Sequence, residues 1–221
     1  MRELFYGRGD CFDIVDRAMN RDEKAVWFHQ QYGQILGACQ SVFHIPEDQQ
    51  LPGTPHVDIH IYRAPSGFPF HLLVTAGMSF VRQPSGAQYP KIELYLRLDA
   101  ASTDADMIEV CRGLWGLAQY PFRSSTALGD FHLVHGMPPL VPESQLTAFM
   151  VTPPSTDRPM IRLAQALDIQ CLHAYSLTEG ERVIAQQAGY ERMPAFASAI
   201  QKAVGPHTLP LRTPADLRNL L

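Results

Sequence analysis

The chain lacks the features of a membrane or exported protein. It has no run of about 20 apolar residues, and its opening segment, MRELFYGRGD, has no apolar stretch of the kind that a secretory signal needs. Its 18 Lys and Arg are outnumbered by 22 Asp and Glu, which gives a formal net charge of -4. Because phosphate binding needs clustered cations and no basic cluster occurs, nucleic acid is not expected as a partner.

Cysteine is scarce and widely spaced. Cys11, Cys39, Cys111 and Cys171 form no C-x-x-C pair. An even count permits two disulfides, but nothing else in the sequence indicates secretion. We therefore expect reduced, mostly buried thiols and a cytoplasmic protein.

Recognisable catalytic motifs are missing. The sequence has no G-x-S-x-G nucleophile turn, no phosphate-binding G-x-x-x-x-G-K-[ST] loop and no dinucleotide-binding G-x-G-x-x-G. Gly7-Arg8-Gly9-Asp10 is too short for the last of these and precedes no suitable helix start. These absences predict a protein that is not an enzyme and that holds no cofactor or metal.

Helical spacing is present at several places. Asn20 and Glu23 form a capping-box signature ahead of apolar residues at three- and four-residue steps up to Cys39. Further helices are predicted over 103–118, from a second capping box at 178 to 189, over 194–205, and briefly from Thr213. We assign the aromatic residues of these helices, including Trp115, to the core.

Period-two alternation predicts strands between the helices. HVDIHIY (56–62) and FHLLVTAG (70–77) flank a Pro-Ser-Gly turn, which predicts a hairpin. KIELYLRL (91–98) has the clearest alternation, with one face packed and Lys91, Glu93, Tyr95 and Arg97 on a face that is solvated or covered by a partner. Shorter strands are predicted over 131–136, 147–151 and 168–175. The order indicates one α+β domain.

His56, Asp58 and His60 are the sharpest chemical candidates. Spacing of two places them on one strand face at steps of about 6.5 Å, and His71 on the next strand could join them. Imidazole and carboxylate groups are ligands for zinc or iron, so a metal-dependent enzyme stays open as an alternative. The plainer interpretation is the polar face of a half-buried strand.

The order of several short segments resembles the suppressor-of-fused-like family. The resemblance runs from about Val57 to about Ala203. It depends on HVDIHIY, FHLLVTAGMSFV, KIELYLRL, a helix that ends in WGLAQYPFRSSTALGDFHLVHG, and DIQCLHAYSLTEGERVIAQQAG. The most telling pieces are TAGMS (75–79), IEL (92–94) and the Gly129-Asp130 pair.

This resemblance implies an α+β fold with a central mixed, largely antiparallel sheet flanked by helices, and no enzymatic activity. Animal members hold a transcription factor of the Hedgehog pathway by gripping a short peptide along sheet edges. Bacterial single-domain members look like immunity proteins of polymorphic toxin systems. Residues 1–221 contain no counterpart of the second animal domain, so the bacterial single-domain type is expected.

Together these observations predict a non-catalytic protein-binding domain, for which an immunity protein that neutralises a toxin is one form. The partner is another protein, as a toxin or a peptide segment, and the net charge would suit a basic one. A structural or assembly module without a toxin partner is the third alternative. The predicted contact residues are the polar strand residues and a loop pair, namely His56, Asp58, His60, Asp130 and His132.

Overall fold

A computed structural model describes residues 20–50, 52–84, 86–154 and 158–217. In that part of the chain seven strands form one sheet, in the order β1-β2-β3-β4-β7-β6-β5. All neighbouring strands are antiparallel except β4 and β7, which are parallel. The predicted mixed, largely antiparallel sheet is therefore confirmed. The strands are β1 (Ser41–Phe43), β2 (Asp58–Tyr62), β3 (Phe70–Ala76), β4 (Ile92–Asp99), β5 (Leu133–Val134), β6 (Leu146–Thr152) and β7 (Gln170–Thr178).

Five α-helices accompany the sheet in the described residues. Three of them begin with a capping box, at Asn20, Thr103 and Thr178, in which the side chain accepts from a backbone N–H three residues on. The boxes at Asn20 and Thr178 confirm the predicted helix starts. The helices are α1 (Arg21–Leu36), α2 (Asp104–Ser124), α3 (Arg158–Leu167), α4 (Glu179–Ala188) and α5 (Met193–Val204).

The predicted hairpin is confirmed as β2 and β3. Asp58 lies opposite Ala76 and Tyr62 opposite Leu72 in an antiparallel register. The N–H of Phe68 donates to the carbonyl of Pro65 at 2.9 Å, and Gly67 has φ +83°, which only glycine adopts easily. The turn residues that the sequence places here therefore determine the register of the first pair of long strands.

Both faces of the sheet are covered. On one face, α2 packs on the leucines of β4, with Leu94, Leu96 and Leu98 fully buried. On the other face, α1 and α3 pack against Tyr95 and Cys171, and α4 and α5 pack farther along β6 and β7. One helix thus covers the first face and four cover the second.

The prediction of a solvated or partner-covered face on β4 was wrong. Glu93 and Tyr95, assigned to that face, are 0% and 2% exposed. The physical reason is that α1 and α3 of the same chain lie over it, and α3 was not predicted from the sequence. Prolines shortly before Arg158 indicated a loop, so the helix was overlooked. Its buried residues, Met160, Leu163 and Leu167, nevertheless follow helical spacing.

Other boundaries also differ from the sequence prediction. The predicted strand over 131–136 shrinks to two residues because Phe131 and Gly136 have φ of 60° and 75°, which end an extended strand. The helix expected from Thr213 does not form over 213–217, and 218–221 lie outside the described residues. Strand β1 was missed because three residues show no measurable period.

The described cysteines form no disulfide: Cys111 and Cys171 are buried and Cys39 is half-buried. Cys11 and the Gly7–Asp10 segment lie outside the described residues. Among the helices that the structure describes, none is both long enough and apolar enough to span a bilayer.

Candidate protein-binding surfaces

Two short strands form the edges of the sheet. Strand β1 pairs only with β2, and β5 only with β6, at opposite ends of the strand order. The backbone of an edge strand has one side without a strand partner, and a partner chain can pair there. In β1, Ser41 and Val42 are exposed, Val42 by 45%, whereas in β5 Val134 is buried. The β1 edge is therefore the more accessible of the two.

His56 and Asp58 lie together next to the β1 edge. A carboxylate oxygen of Asp58, Oδ1, is 2.7 Å from Nδ1 of His44, just after β1, and 3.0 Å from Nε2 of His56. Gln50 makes a close contact with the other ring nitrogen of His56. Burial alone would raise the pKa of Asp58, but the hydrogen bonds from His56 and His44 together outweigh it and hold that pKa below its ordinary value.

His60 has different neighbours. It is 4% exposed beneath α1, with its ring 5.3 Å from that of Tyr32 and 5.7 Å from that of His29. Burial lowers the pKa of His60 to about 4, so the ring is neutral at physiological pH. Its Nδ1 is buried and makes no hydrogen bond within the described part of the chain.

A cavity of about 280 Å³ brings the three predicted strand residues to one place. It opens between α1 and the hairpin, and its wall is mainly apolar. The polar lining residues are Lys24, His56, Asp58 and His60, while Phe28 and Phe80 supply aromatic surface. His71 does not join them, since it shares the face of Leu73 under α2, and its Nδ1 accepts from the N–H of Ala64 at 2.8 Å.

A buried carboxylate accepts a hydrogen bond from Gly77, which lines this cavity. Glu93 is fully buried, and its Oε1 accepts from the N–H groups of Gly77 and Ser79 at 3.0 and 2.9 Å and from the Ser79 hydroxyl at 2.7 Å. Its Oε2 accepts from the Thr75 hydroxyl at 2.6 Å. Burial outweighs these hydrogen bonds and raises the pKa of Glu93 to about 7. TAGMS and IEL, separate in the sequence, are thus one hydrogen-bonded unit.

Gly77 places the chain at His56 against that unit. Its φ is +131°, and a Cβ there would lie 2.1 Å from the backbone oxygen of His56. Only glycine permits this approach. Sequence reasoning singled out these residues for their resemblance to a family but assigned them no contacts. The sequence did contain a signal for these contacts: a glutamate inside an apolar strand needs hydrogen-bond donors, and the 75–79 segment that precedes it has two hydroxyl side chains.

Asp130 and His132 lie at the other end of the sheet. The Asp130 carboxylate accepts from the Tyr89 hydroxyl at 2.8 Å and from Gln88 Nε2 at 3.2 Å. His132 is exposed and contacts the carbonyl of Ala127 through Nδ1 at 2.9 Å. It lines a depression of about 390 Å³ together with Tyr190, which is 64% exposed. The five predicted contact residues therefore belong to two separate surfaces.

Sequence reasoning missed a groove along α2. Trp115, assigned to the core, is only half-buried and lines a depression of about 760 Å³ with Met137 of the following loop. Gly113 and Gly116 allow that loop to lie close, because a Cβ at Gly113 would lie 2.7 Å from the Leu140 side chain and one at Gly116 would lie 3.1 Å from that of Met137. The glycine pair in an amphipathic helix was the signal for this close contact.

Comparison with known proteins identifies related chains. The family model described as "Suppressor of fused protein (SUFU)" matches residues 53–204. No curated protein sequence matches.

Three solved structures share the fold. A SUFU homologue from Neisseria gonorrhoeae has a TM-score of 0.57 at 14% identity, over 79% of this chain and 91% of that one. A chain of the Sufu-Fu complex has a TM-score of 0.55 at 13% identity, over 87% and 90%. Drosophila Suppressor of Fused has a TM-score of 0.55 at 13% identity, and 89% of this chain covers 54% of it.

Proposed function

Because the chain belongs to the suppressor of fused protein family, we propose that it is a non-catalytic protein-binding domain that receives a partner along the β1 edge of its sheet. Family membership supports the general role, and so does the structural neighbour that was solved as the Sufu-Fu complex. The observation that carries the choice of surface is the exposure of β1, whose Ser41 and Val42 both face solvent.

The neighbourhood of β1 supports the same choice. Three of the predicted contact residues, His56, Asp58 and His60, line the cavity next to this edge. An added strand would satisfy open backbone groups of β1, while the cavity would accept a side chain of the partner. Asp130 and His132 lie too far along the strand order to take part in the same short contact, and their role in binding stays a prediction.

The partner class that we favour is a protein toxin, which would make this chain an immunity protein. The formal net charge of -4 supports a basic partner through electrostatic attraction. The test is co-purification with the product of each neighbouring gene. A neighbour that binds and whose toxicity is suppressed by this chain is the expected result, and failure of every neighbour to bind would refute the immunity role.

A substitution in β1 tests the surface. Val42→Lys places a charge on the edge, which natural sheets use to prevent strand addition. We expect at least about a tenfold loss of partner affinity, since one well-placed interface residue contributes about 1.4 kcal/mol or more. The control is Leu211→Lys, another exposed aliphatic side chain, at 65% exposure and away from β1. Affinities for the partner are measured by calorimetry. If they are equal for the two variants, the β1 edge is not the binding surface.

A further inference from the structure

Three metal-binding side chains converge where α1 meets the β1 edge. His29 is on α1, Cys39 is in the segment that joins α1 to β1, and His60 is on β2. Each offers one ligand atom, and these atoms all lie within 4.8 Å of one another. The proposed protein-binding role uses only His60 of these three, as part of the cavity wall, and makes no use of His29 or Cys39.

His60 is the buried residue of this cluster. The residue is only 4% exposed, and its Nδ1 has no hydrogen-bond partner in the described part of the chain. Buried polar atoms in proteins are nearly always paired, and an unpaired one calls for an unseen ion or water. A cation bound to that nitrogen would remove the penalty of leaving it unpaired.

We propose that His29, Cys39 and His60 form a binding site for Zn²⁺. One thiolate and two imidazoles are a zinc donor set, because soft sulfur selects zinc over magnesium or calcium and imidazole suits it equally well. With metal bonds of about 2.3 Å to sulfur and about 2.0 Å to nitrogen, tetrahedral ligand atoms lie roughly 3.3–3.6 Å apart.

To bind the ion, the ligand atoms must move closer together than the 4.8 Å that now bounds their separations, and His29 and Cys39 can make this small movement. His29 is exposed on the surface of α1, so its side chain can change rotamer without disturbing the core. The Cys39 thiol donates to the carbonyl of Ser41 at 3.0 Å, and on binding it releases its proton to solvent. Three protein ligands leave a fourth position for water or for a donor atom of a partner.

A second group of possible ligands is better explained without a metal. Nδ1 of His44 and Nε2 of His56 are both within 3.0 Å of the Asp58 carboxylate, so these atoms already satisfy one another. This group also lacks a thiolate. The two groups share no residue, and variants can therefore separate them.

The site has a structural consequence. His29 and Cys39 bracket the end of α1, and His60 belongs to the sheet, so a bound ion would cross-link the helix to β2. Binding to the folded state alone raises thermal stability in proportion to the logarithm of metal concentration. Zn²⁺ should therefore raise Tm, and EDTA should reverse the increase.

The test uses the full chain, freed of metal with EDTA under reducing conditions. Co²⁺ serves as the spectroscopic probe, because thiolate ligation gives a near-ultraviolet charge-transfer band, and Zn²⁺ affinity is measured by calorimetry. We expect one ion per chain. Loss of an outer-shell partner alone commonly costs about 10- to 100-fold in metal affinity, and loss of a ligand should cost at least as much. Cys39→Ser should therefore abolish the band and lower Zn²⁺ affinity at least about 100-fold, and His29→Ala at least about 10-fold. His135→Ala, at another exposed histidine, should change neither.

Folding and location controls keep the result interpretable. His29 is exposed, so His29→Ala should match the wild-type circular dichroism and metal-free Tm. Absence of stoichiometric binding to the wild type, or a charge-transfer band that persists in Cys39→Ser, would overturn the proposal. Binding that disappears in His44→Ala but persists in both Cys39→Ser and His29→Ala would assign the ion to the other group and would also overturn it.

Discussion

At the scale of single residues, Glu93 connects the sequence pattern to the cavity. Four hydrogen bonds from Thr75, Gly77 and Ser79 surround a carboxylate with no solvent exposure. Alternation placed Glu93 on an outward face, since a charged residue is seldom fully buried. The structure buries it because local donors can hold the group in either protonation state. If Oε2 is protonated, it can donate to the Thr75 hydroxyl, which in turn can donate to the carbonyl of Leu94 at 3.2 Å.

The burial of Glu93 makes the free energy of unfolding depend on pH. Its pKa rises from 4.5 to about 7 on folding, so the folded protein binds the proton more tightly than the unfolded chain. The resulting stabilisation is complete below pH 4.5 and is lost as the pH rises through 7. Glu93→Gln cannot titrate. The free energy of unfolding of the wild type relative to Glu93→Gln should therefore be greater at pH 5 than at pH 8, by on the order of 2 kcal/mol.

Urea unfolding of both proteins at the two pH values measures this difference. Comparing the two proteins cancels the opposite contribution of His60 and His173, whose folded pKa values lie below the ordinary one. If the difference in unfolding free energy between wild type and Glu93→Gln does not change with pH, Glu93 is not the titrating group.

Gly77 is the second residue with a specific structural requirement. Gly77→Ala forces a Cβ to 2.1 Å from the His56 backbone oxygen at a φ of +131°. Neither the backbone nor the hairpin can move without disturbing the Glu93 hydrogen bonds, so we expect a loss of roughly 3–5 kcal/mol in unfolding free energy, at the upper end for single substitutions. Guanidinium denaturation measures it. A loss below about 1 kcal/mol would contradict the contact.

At the scale of elements, the helix starts at Asn20 and Thr178 were predicted correctly, whereas α3 and the covered face of β4 were not. Capping boxes at Asn20 and Thr178 involve residues three apart, so the sequence contains the whole interaction. The burial of β2 depends instead on α1, far away in the chain. Period two placed His56, Asp58 and His60 on one face, and they do line one cavity. The packing of α1 over His60, and of the segment after β1 beside His56 and Asp58, gave these residues different partners.

Helix α1 offers a contrast to Gly77. Gly33 lies inside α1 without positive φ, and no atom lies within 4 Å of the position that an added methyl group would occupy. Gly33→Ala should therefore stabilise the protein by about 0.5–1 kcal/mol, because alanine reduces the entropy of the unfolded helix segment. The change in Tm reports it. A decrease in Tm would indicate an unrecognised contact at this position.

At the scale of the whole molecule, the segment after α5 helps to close the fold. Thr208 continues the edge of β4 where β7 diverges, with its N–H donating to the carbonyl of Arg97 at 2.7 Å. Arg212 then pairs with Glu181 of α4 through two contacts of 2.6 Å, and the side chains are only 4% and 1% exposed. Thr208 and Arg212 lie beyond residue 204, where the family match ends, and their partners Arg97 and Glu181 lie within it.

Removing one partner of this ion pair should be strongly destabilising. Arg212→Ala leaves Glu181 buried without its counter-charge, and we expect a loss of about 3–5 kcal/mol in unfolding free energy. The matched control is Arg182→Ala, which removes the pair with Glu179, where Glu179 is 58% and Arg182 14% exposed, and should cost at most about 1 kcal/mol. Thermal denaturation of both variants distinguishes them. Equal Tm values would show that the 205–217 segment does not anchor α4.

The sequence by itself determined the features in which each interaction is local: the helix starts marked by capping boxes, the β2–β3 turn and the alternation of the long strands. These depend on residues a few positions apart, whose side chains and backbone meet in any fold. It also contained the segment order that resembles the suppressor-of-fused-like family. The tertiary structure alone decided that both sheet faces are covered, that Glu93 holds the 75–79 turn, and that His60 lies with His29 and Cys39. Those outcomes depend on which distant element packs over each polar side chain, and no local pattern records that choice.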